Sequence, residues 1–155
     1  MIELPIEGGC QCGALRYQVT MAPLMVYNCH CTNCQRISGG AFSTPATLIE
    51  SGFAFVQGKP NAVEWSADSG ARRFGWFCGD CGCRIAHGQN PSNGILSLRT
   101  GTLDDRSWVT PVGDIWTSSA QAWVTIPAER MRFDRQPADY APLIAAFRDL
   151  GHFQA

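Results

Sequence analysis

The eight cysteines of this 155-residue chain are not scattered. They fall as Cys10-x-Cys12, Cys29-x-Cys31-x-x-Cys34 and Cys78-x-x-Cys81-x-Cys83. Thiolates are soft, charged ligands, and clustering at these intervals suits metal binding better than a disulfide framework or redox thiols. The densest group is Cys29-His30-Cys31-Thr32-Asn33-Cys34. Its three thiolates on Zn²⁺ would leave one tetrahedral corner that the stretch cannot fill, and what fills that corner decides the function.

The other thiols sort by elimination. Cys78 and Cys81 cannot complete a tetrahedron alone, and Cys10 and Cys12 are the natural suppliers of the other two thiolates. A four-sulfur site is closed, hence structural, and contributes folding free energy. Cys83 then remains unassigned. Were it to join Cys29, Cys31 and Cys34, the second site would be closed and non-catalytic; otherwise the fourth position is open to water or a substrate thiol. Cys83 follows Cys81 by two residues, where a knuckle turns back into its strand, and this favours the open site.

Three thiolates give Zn²⁺ a formal charge of about −1, which makes a poor generator of hydroxide but a good carrier of a thiol, since a coordinated thiol is deprotonated outright. A fourth thiolate adds negative charge that a nearby donor must offset. Arg36 and the N-terminus of the short helix after Cys31 are the candidates.

The elements that position these residues read mainly as strands. Thr32 and Gln35 form a capping-box pattern that puts Cys34 in a helix's first turn, and Gly39-Gly40 end that helix. Strands are expected over Ile2 to Ile6, Leu15 to Val19, Met25 to Cys29, Ala41 to Ile49, Phe53 to Gln57, Ala62 to Ala67, Ala71 to Phe77, Cys83 to His87, Ile95 to Arg99, Val112 to Thr117 and Ala120 to Ile126. Gly58-Lys59-Pro60 and Asp68-Ser69-Gly70 mark turns. Asp139 to Leu150 reads as a helix with Ile144, Phe147 and Leu150 on one stripe. The expectation is one mainly β, zinc-binding domain over residues 1–155, with short helices.

Net charge is −1, and of the twelve Lys and Arg residues only Lys59 is lysine. This gives no electrostatic footprint for nucleic acid or membrane. No signal-like N-terminal segment and no apolar run near the ~20 residues of a membrane span is read, so the expectation is a soluble, cytoplasmic protein. His30, between two ligands, should face away from the metal; His87 reads as a strand-end residue and His152 as part of a tail. Trp65, Trp76, Trp116 and Trp123 lie on strand patterns, while Trp108 lies in a loop.

Gly9-Cys10-x-Cys12-Gly13, Arg16-Tyr17, Cys29-His30-Cys31-x-x-Cys34-Gln35-Arg36-x-Ser38-Gly39, Phe77-Cys78-x-x-Cys81-Gly82, Gly101-Thr102-Leu103-Asp104 and Trp123 resemble the glutathione-dependent formaldehyde-activating enzyme family, which includes centromere protein V. The likeness spans about residues 8–127. It implies an Mss4-like fold of twisted β-sheets built around a four-cysteine zinc knuckle, with a structural zinc on Cys10, Cys12, Cys78 and Cys81. A second zinc on Cys29, Cys31 and Cys34 is implied as the catalytic centre. The implied reaction is carbon-sulfur lyase chemistry joining glutathione, or a related thiol, to formaldehyde or a small aldehyde. Two positions depart from the family pattern: Cys83 stands where Ser or Thr is usual, and Asp114 where His is expected. A non-catalytic zinc module that binds a protein partner, and a homodimer built through the C-terminal helix, are the other readings of the same residues.

Overall fold

The structure is a computed structural model that describes residues 1–67 and 70–153. Its strands are β1 (Ile6–Gly9), β2 (Arg16–Val19), β3 (Met25–Val26), β4 (Asn28–Cys29), β5 (Pro45–Ile49), β6 (Phe53–Gln57), β7 (Asn61–Ser66), β8 (Arg72–Phe77), β9 (Arg84–Gln89), β10 (Ile95–Arg99), β11 (Gly113–Ile115) and β12 (Met131–Phe133). The helices are α1 (Thr32–Ser38) and α2 (Ala141–Asp149). The strands form a sheet ordered β1-β2-β6, a six-stranded sheet ordered β3-β5-β10-β9-β8-β7, and a small sheet ordered β12-β11-β4. The last is parallel. The mainly β expectation holds.

The apolar core lies between the first two sheets. Tyr17, Val19, Leu48, Ala86, Leu96 and Leu98 are all buried there. Phe53 stacks on Trp76 with centroids 5.8 Å apart, and Phe55 meets the same indole edge-on at 5.6 Å. Alternation along each strand puts a different set on the opposite face of the large sheet. There the register aligns Val63, Gly75, His87, Ser97, Thr47 and Met25 in one row across all six strands. Arg99, two residues after Ser97, shares this polar face, as do Arg73 and its pairing partner Trp65. The α1 site is built over it.

Several sequence expectations shift. The first strand is not Ile2 to Ile6 but begins at Ile6, because it must pair with β2 from Ile6↔Val19 to Gly9↔Arg16. Ala41 to Ile49 shortens to β5, whose first residue is Pro45, the position a strand tolerates in proline. Ala120 to Ile126 is turn and loop, leaving Trp123 75% exposed, whereas β12 carries no signal long enough to read in advance. In α2 the buried stripe is Leu143 and Phe147, with Leu150 exposed. Gly113 admits Leu143, whose Cδ2 would lie 2.4 Å from a Cβ there. Trp108, in a loop as expected, is buried against Phe147 and Phe153. Of the turn expected at Asp68-Ser69-Gly70, Asp68 and Ser69 lie outside the described residues.

Candidate metal centres and the cavity beside one of them

Cys10, Cys12, Cys78 and Cys81 converge so that their sulfurs all lie within 4.8 Å of one another. Two short turns deliver them. The Cys10 carbonyl accepts from the Gly13 amide at 3.1 Å, and the Cys78 carbonyl from the Gly82 amide at 2.9 Å. Gly13 and Gly82 both take left-handed backbone, φ 81° and 72°, which favours glycine. The Leu15 amide donates to Cys10 Sγ at 3.2 Å. Cys10–Cys12 and Cys12–Cys78 sulfur separations are 3.5 and 3.7 Å. A tetrahedron with Zn–S bonds of about 2.3 Å has edges of about 3.8 Å, so the donor set fits a metal of that size. Burial raises the Cys10 thiol, but the Leu15 amide and the neighbouring thiols outweigh it and bring it down to about 6.

The loops are tied to the sheets by the motif residues between them. Arg16 NH1 donates to Asp104 Oδ1 at 2.9 Å, and Arg16 NH2 pairs with Asp104 Oδ2. Tyr17 and Thr102 hydroxyls meet at 2.8 Å. Gly8 permits this approach, since a Cβ there would lie 2.2 Å from the Tyr17 hydroxyl. Arg16, Tyr17 and the Gly101–Asp104 turn are therefore scaffold for the Cys10-x-Cys12 turn.

Cys29, Cys31 and Cys34 form the second cluster, again with sulfurs within 4.8 Å, and no fourth His, Cys or carboxylate joins them among the described residues. Cys29 ends β4. Its amide donates to Ser43 O at 2.8 Å and its carbonyl accepts from the Ser43 amide at 3.1 Å. Cys31 caps α1: its Sγ accepts from the Cys34 amide at 3.4 Å. This replaces the expected capping box, because Gln35 donates instead to the carbonyls of His30, at 2.6 Å, and Ser119, at 2.9 Å. Gly39 closes the helix at φ 64°, as expected. Hydrogen bonding from Cys29 and Cys31, against burial, brings the Cys34 thiol down to about 2, with the Ser43 hydroxyl and the charge of Arg99 adding to the effect. The same contacts push Cys29 up.

The remaining candidates fall elsewhere. Cys83 flanks the four-cysteine cluster; burial, then the charges of Cys81, Cys10 and Cys78, raise its thiol, and it belongs to neither group. Arg36 is exposed in the last turn of α1, and the guanidinium acting on Cys34 is that of Arg99. His30 is fully buried and turned away from the sulfurs, its Nε2 2.7 Å from Asp114 Oδ1. Asp114 also accepts from Asn28 Nδ2 at 3.1 Å and Arg130 NH1 at 3.2 Å. This network, with the pairing of Ile115 to Cys29, holds the cysteine-bearing strand. Burial, then Arg99, lowers His87 to about 4, so it is neutral at pH 7.

A cavity of about 400 Å³ is lined by Ile37, Phe42, Ser43, Arg84, Arg99 and Thr100 among others; none of the three cysteines lines it, and Ser43, whose backbone bonds that of Cys29, connects its wall to the cluster. Sequence reasoning missed Ser43, Arg84 and Arg99. The only available signal was the alternation that puts Arg99 in phase with Ser97.

A mainly β scaffold carrying one four-thiol and one three-thiol cluster defines a class of cysteine-rich proteins whose donor sets are compatible with zinc. Residues 5–119 match the family described as glutathione-dependent formaldehyde-activating enzyme, and the chain belongs to that family. A glutathione-related, formaldehyde-activating function follows in general terms. The crystal structure of a Rhodobacter sphaeroides protein superimposes with a TM-score of 0.50 at 24% identity, over 64% of this chain and 88% of that one, a likeness of fold. No helix among the described residues is long and apolar enough to cross a membrane.

Proposed function

We propose that the protein is a zinc-dependent carbon-sulfur lyase that joins glutathione, or a related small thiol, to formaldehyde or a small aldehyde. The observation that carries this reading is the three-cysteine cluster, which no fourth His, Cys or carboxylate joins among the described residues, with Ser43 connecting it to the wall of a cavity. Cys29, Cys31 and Cys34 would hold one zinc, and Cys10, Cys12, Cys78 and Cys81 a structural one. Zinc on the trio would supply a deprotonated, oriented substrate thiol. The sulfur lone pair forms a bond to the aldehyde carbon while the carbon-oxygen π pair moves to oxygen. The alkoxide takes up the proton the thiol released, giving a hemithioacetal. Ser43, whose hydroxyl is buried without a hydrogen-bond partner among the described residues and whose backbone bonds that of Cys29, is the neutral donor this reading assigns to the alkoxide. We assign the offset of the cluster's negative charge to Arg99, whose charge lowers the Cys34 thiol, in preference to the exposed Arg36. The position of Cys83 beside the other cluster argues against the non-catalytic module, which would need the second site closed.

The test is exchange NMR of glutathione and formaldehyde interconverting with the hemithioacetal, with zinc-loaded protein against an equal amount of Cys31→Ser. Net product formation is uninformative because the background reaction is fast. Acceleration lost in the variant supports the proposal; a protein with both zincs and no acceleration sinks it.

A further inference from the structure

The polar face of the six-stranded sheet holds two cations that the fold does not neutralise. Arg99 Nε, NH1 and NH2 and Arg84 NH1 are closed off from solvent, and none has a hydrogen-bond partner among the described residues. Neither arginine is in any of the ion pairs of the described residues, which join Arg16 to Asp104, Arg72 to Glu64, and Arg130 and His30 to Asp114. Burying an unpaired charge is costly, and burying two side by side is more so. Burial, then the charge of Arg99, lowers Arg84 below its ordinary value.

The arrangement is nonetheless built. Arg84 lies over the Trp65 ring at 5.5 Å and occupies the space a side chain at position 75 would take: a Cβ on Gly75 would meet its NH1 at 2.1 Å. A β-bulge between Trp76 and Phe77 carries Arg84 into this position. Both arginines line the same cavity as Ser43, whose backbone bonds that of Cys29. The thiolates supply charge at a distance, but no sulfur is within hydrogen-bonding reach of these donors. A planar guanidinium fork suits the two oxygens of a carboxylate.

We propose that Arg84 and Arg99 form an anion subsite that binds a carboxylate of the thiol substrate, setting its thiol at the three-cysteine centre. The identity of the bound molecule as a thiol rests on the lyase reading; the subsite itself does not. It makes the enzyme selective for acidic thiols over neutral ones, because a neutral ligand would leave both cations unpaired.

Calorimetric titration of the zinc-loaded protein with glutathione, glutathione diethyl ester, S-methylglutathione and 2-mercaptoethanol tests this in the wild type, Arg84→Gln and Arg99→Gln. Glutathione should bind at least tenfold tighter than its diester to the wild type, a comparison that needs no variant. Arg84→Gln should lose at least tenfold in glutathione affinity and much less in 2-mercaptoethanol affinity, since 2-mercaptoethanol offers the guanidinium no carboxylate. Arg99→Gln should lose more for glutathione than for 2-mercaptoethanol. Equal binding of diester and glutathione, or unchanged glutathione affinity in both variants, overturns the subsite. S-methylglutathione separates the two proposals. If it binds through both arginines while 2-mercaptoethanol does not bind at all, the subsite stands and the lyase reading falls.

Discussion

His30 Nε2 and Asp114 Oδ1 stand 2.7 Å apart, both closed to solvent. The pair lies on the far side of the strand from the cysteine sulfurs and joins the small parallel sheet to the second cluster. Asp114 serves three donors, His30, Asn28 and Arg130, from two carboxylate oxygens. Asp114→Ala would strand all three, a loss of about 3–5 kcal/mol by analogy with broken buried pairs. Asp114→Asn keeps the shape and should lose less. Denaturant unfolding gives the stability, and metal analysis should show the three-cysteine site losing metal first. Wild-type stability in Asp114→Ala would refute the role given to this carboxylate.

The two clusters should respond differently to substitution. If the proposed zinc sits on Cys10, Cys12, Cys78 and Cys81, Cys78→Ser breaks the four-sulfur set joining the N-terminal turn to the β8–β9 connection, and the folded state should collapse or lose several kcal/mol, since such a metal contributes folding free energy. Cys31→Ser should remove one metal equivalent and leave most of the fold, since the β4–Ser43 and β4–β11 hydrogen bonds do not use that sulfur. Metal stoichiometry and circular dichroism of the two variants decide it; equal loss of fold in both would mean that the trio is structural too.

The clusters were legible because ligand spacing is local, and the β6 and β10 boundaries were legible because alternating runs ended at turn residues. What the sequence hid was of longer range. β12 has three residues and gains its identity only from parallel pairing to β11. Gln121 and Trp123 alternate as in a strand, yet Gln121 bonds Gln35 Oε1 at 2.8 Å and Trp123 faces outward. Thr32 looked like the cap, but metal-type geometry put the Cys31 sulfur there first. Arg84 was unreadable as a pocket residue because the bulge that turns it inward has no sequence mark.

Burial, then the nearby charge of Arg99, holds His87 near 4 against an ordinary 6.5. Its folded value is depressed, so the stabilisation from keeping it neutral is full above pH 6.5 and is lost as the pH falls through about 4. The size is about 3 kcal/mol at most. His87→Gln should flatten this part of the stability profile. The difference between wild type and variant must be measured over the same pH range, because acid also protonates the cysteines in both. A difference that does not change between pH 7 and pH 4 would mean His87 takes its proton freely in the folded state.

Gly75 offers a test of the polar face that removes no charge. A Cβ there would displace the Arg84 guanidinium, the far end of a flexible side chain, and would lie 3.2 Å from Trp65 Cζ3. The backbone is in an ordinary strand, so Gly75→Ala should cost less than about 1 kcal/mol, and the gain in strand propensity acts in the opposite direction. With Arg84 pushed from its place over Trp65, glutathione affinity should nevertheless fall several-fold while 2-mercaptoethanol binding holds. Titration alongside thermal unfolding separates the two effects. An unaltered glutathione affinity in a well-folded Gly75→Ala protein would show that the position of Arg84 over this face is irrelevant to binding.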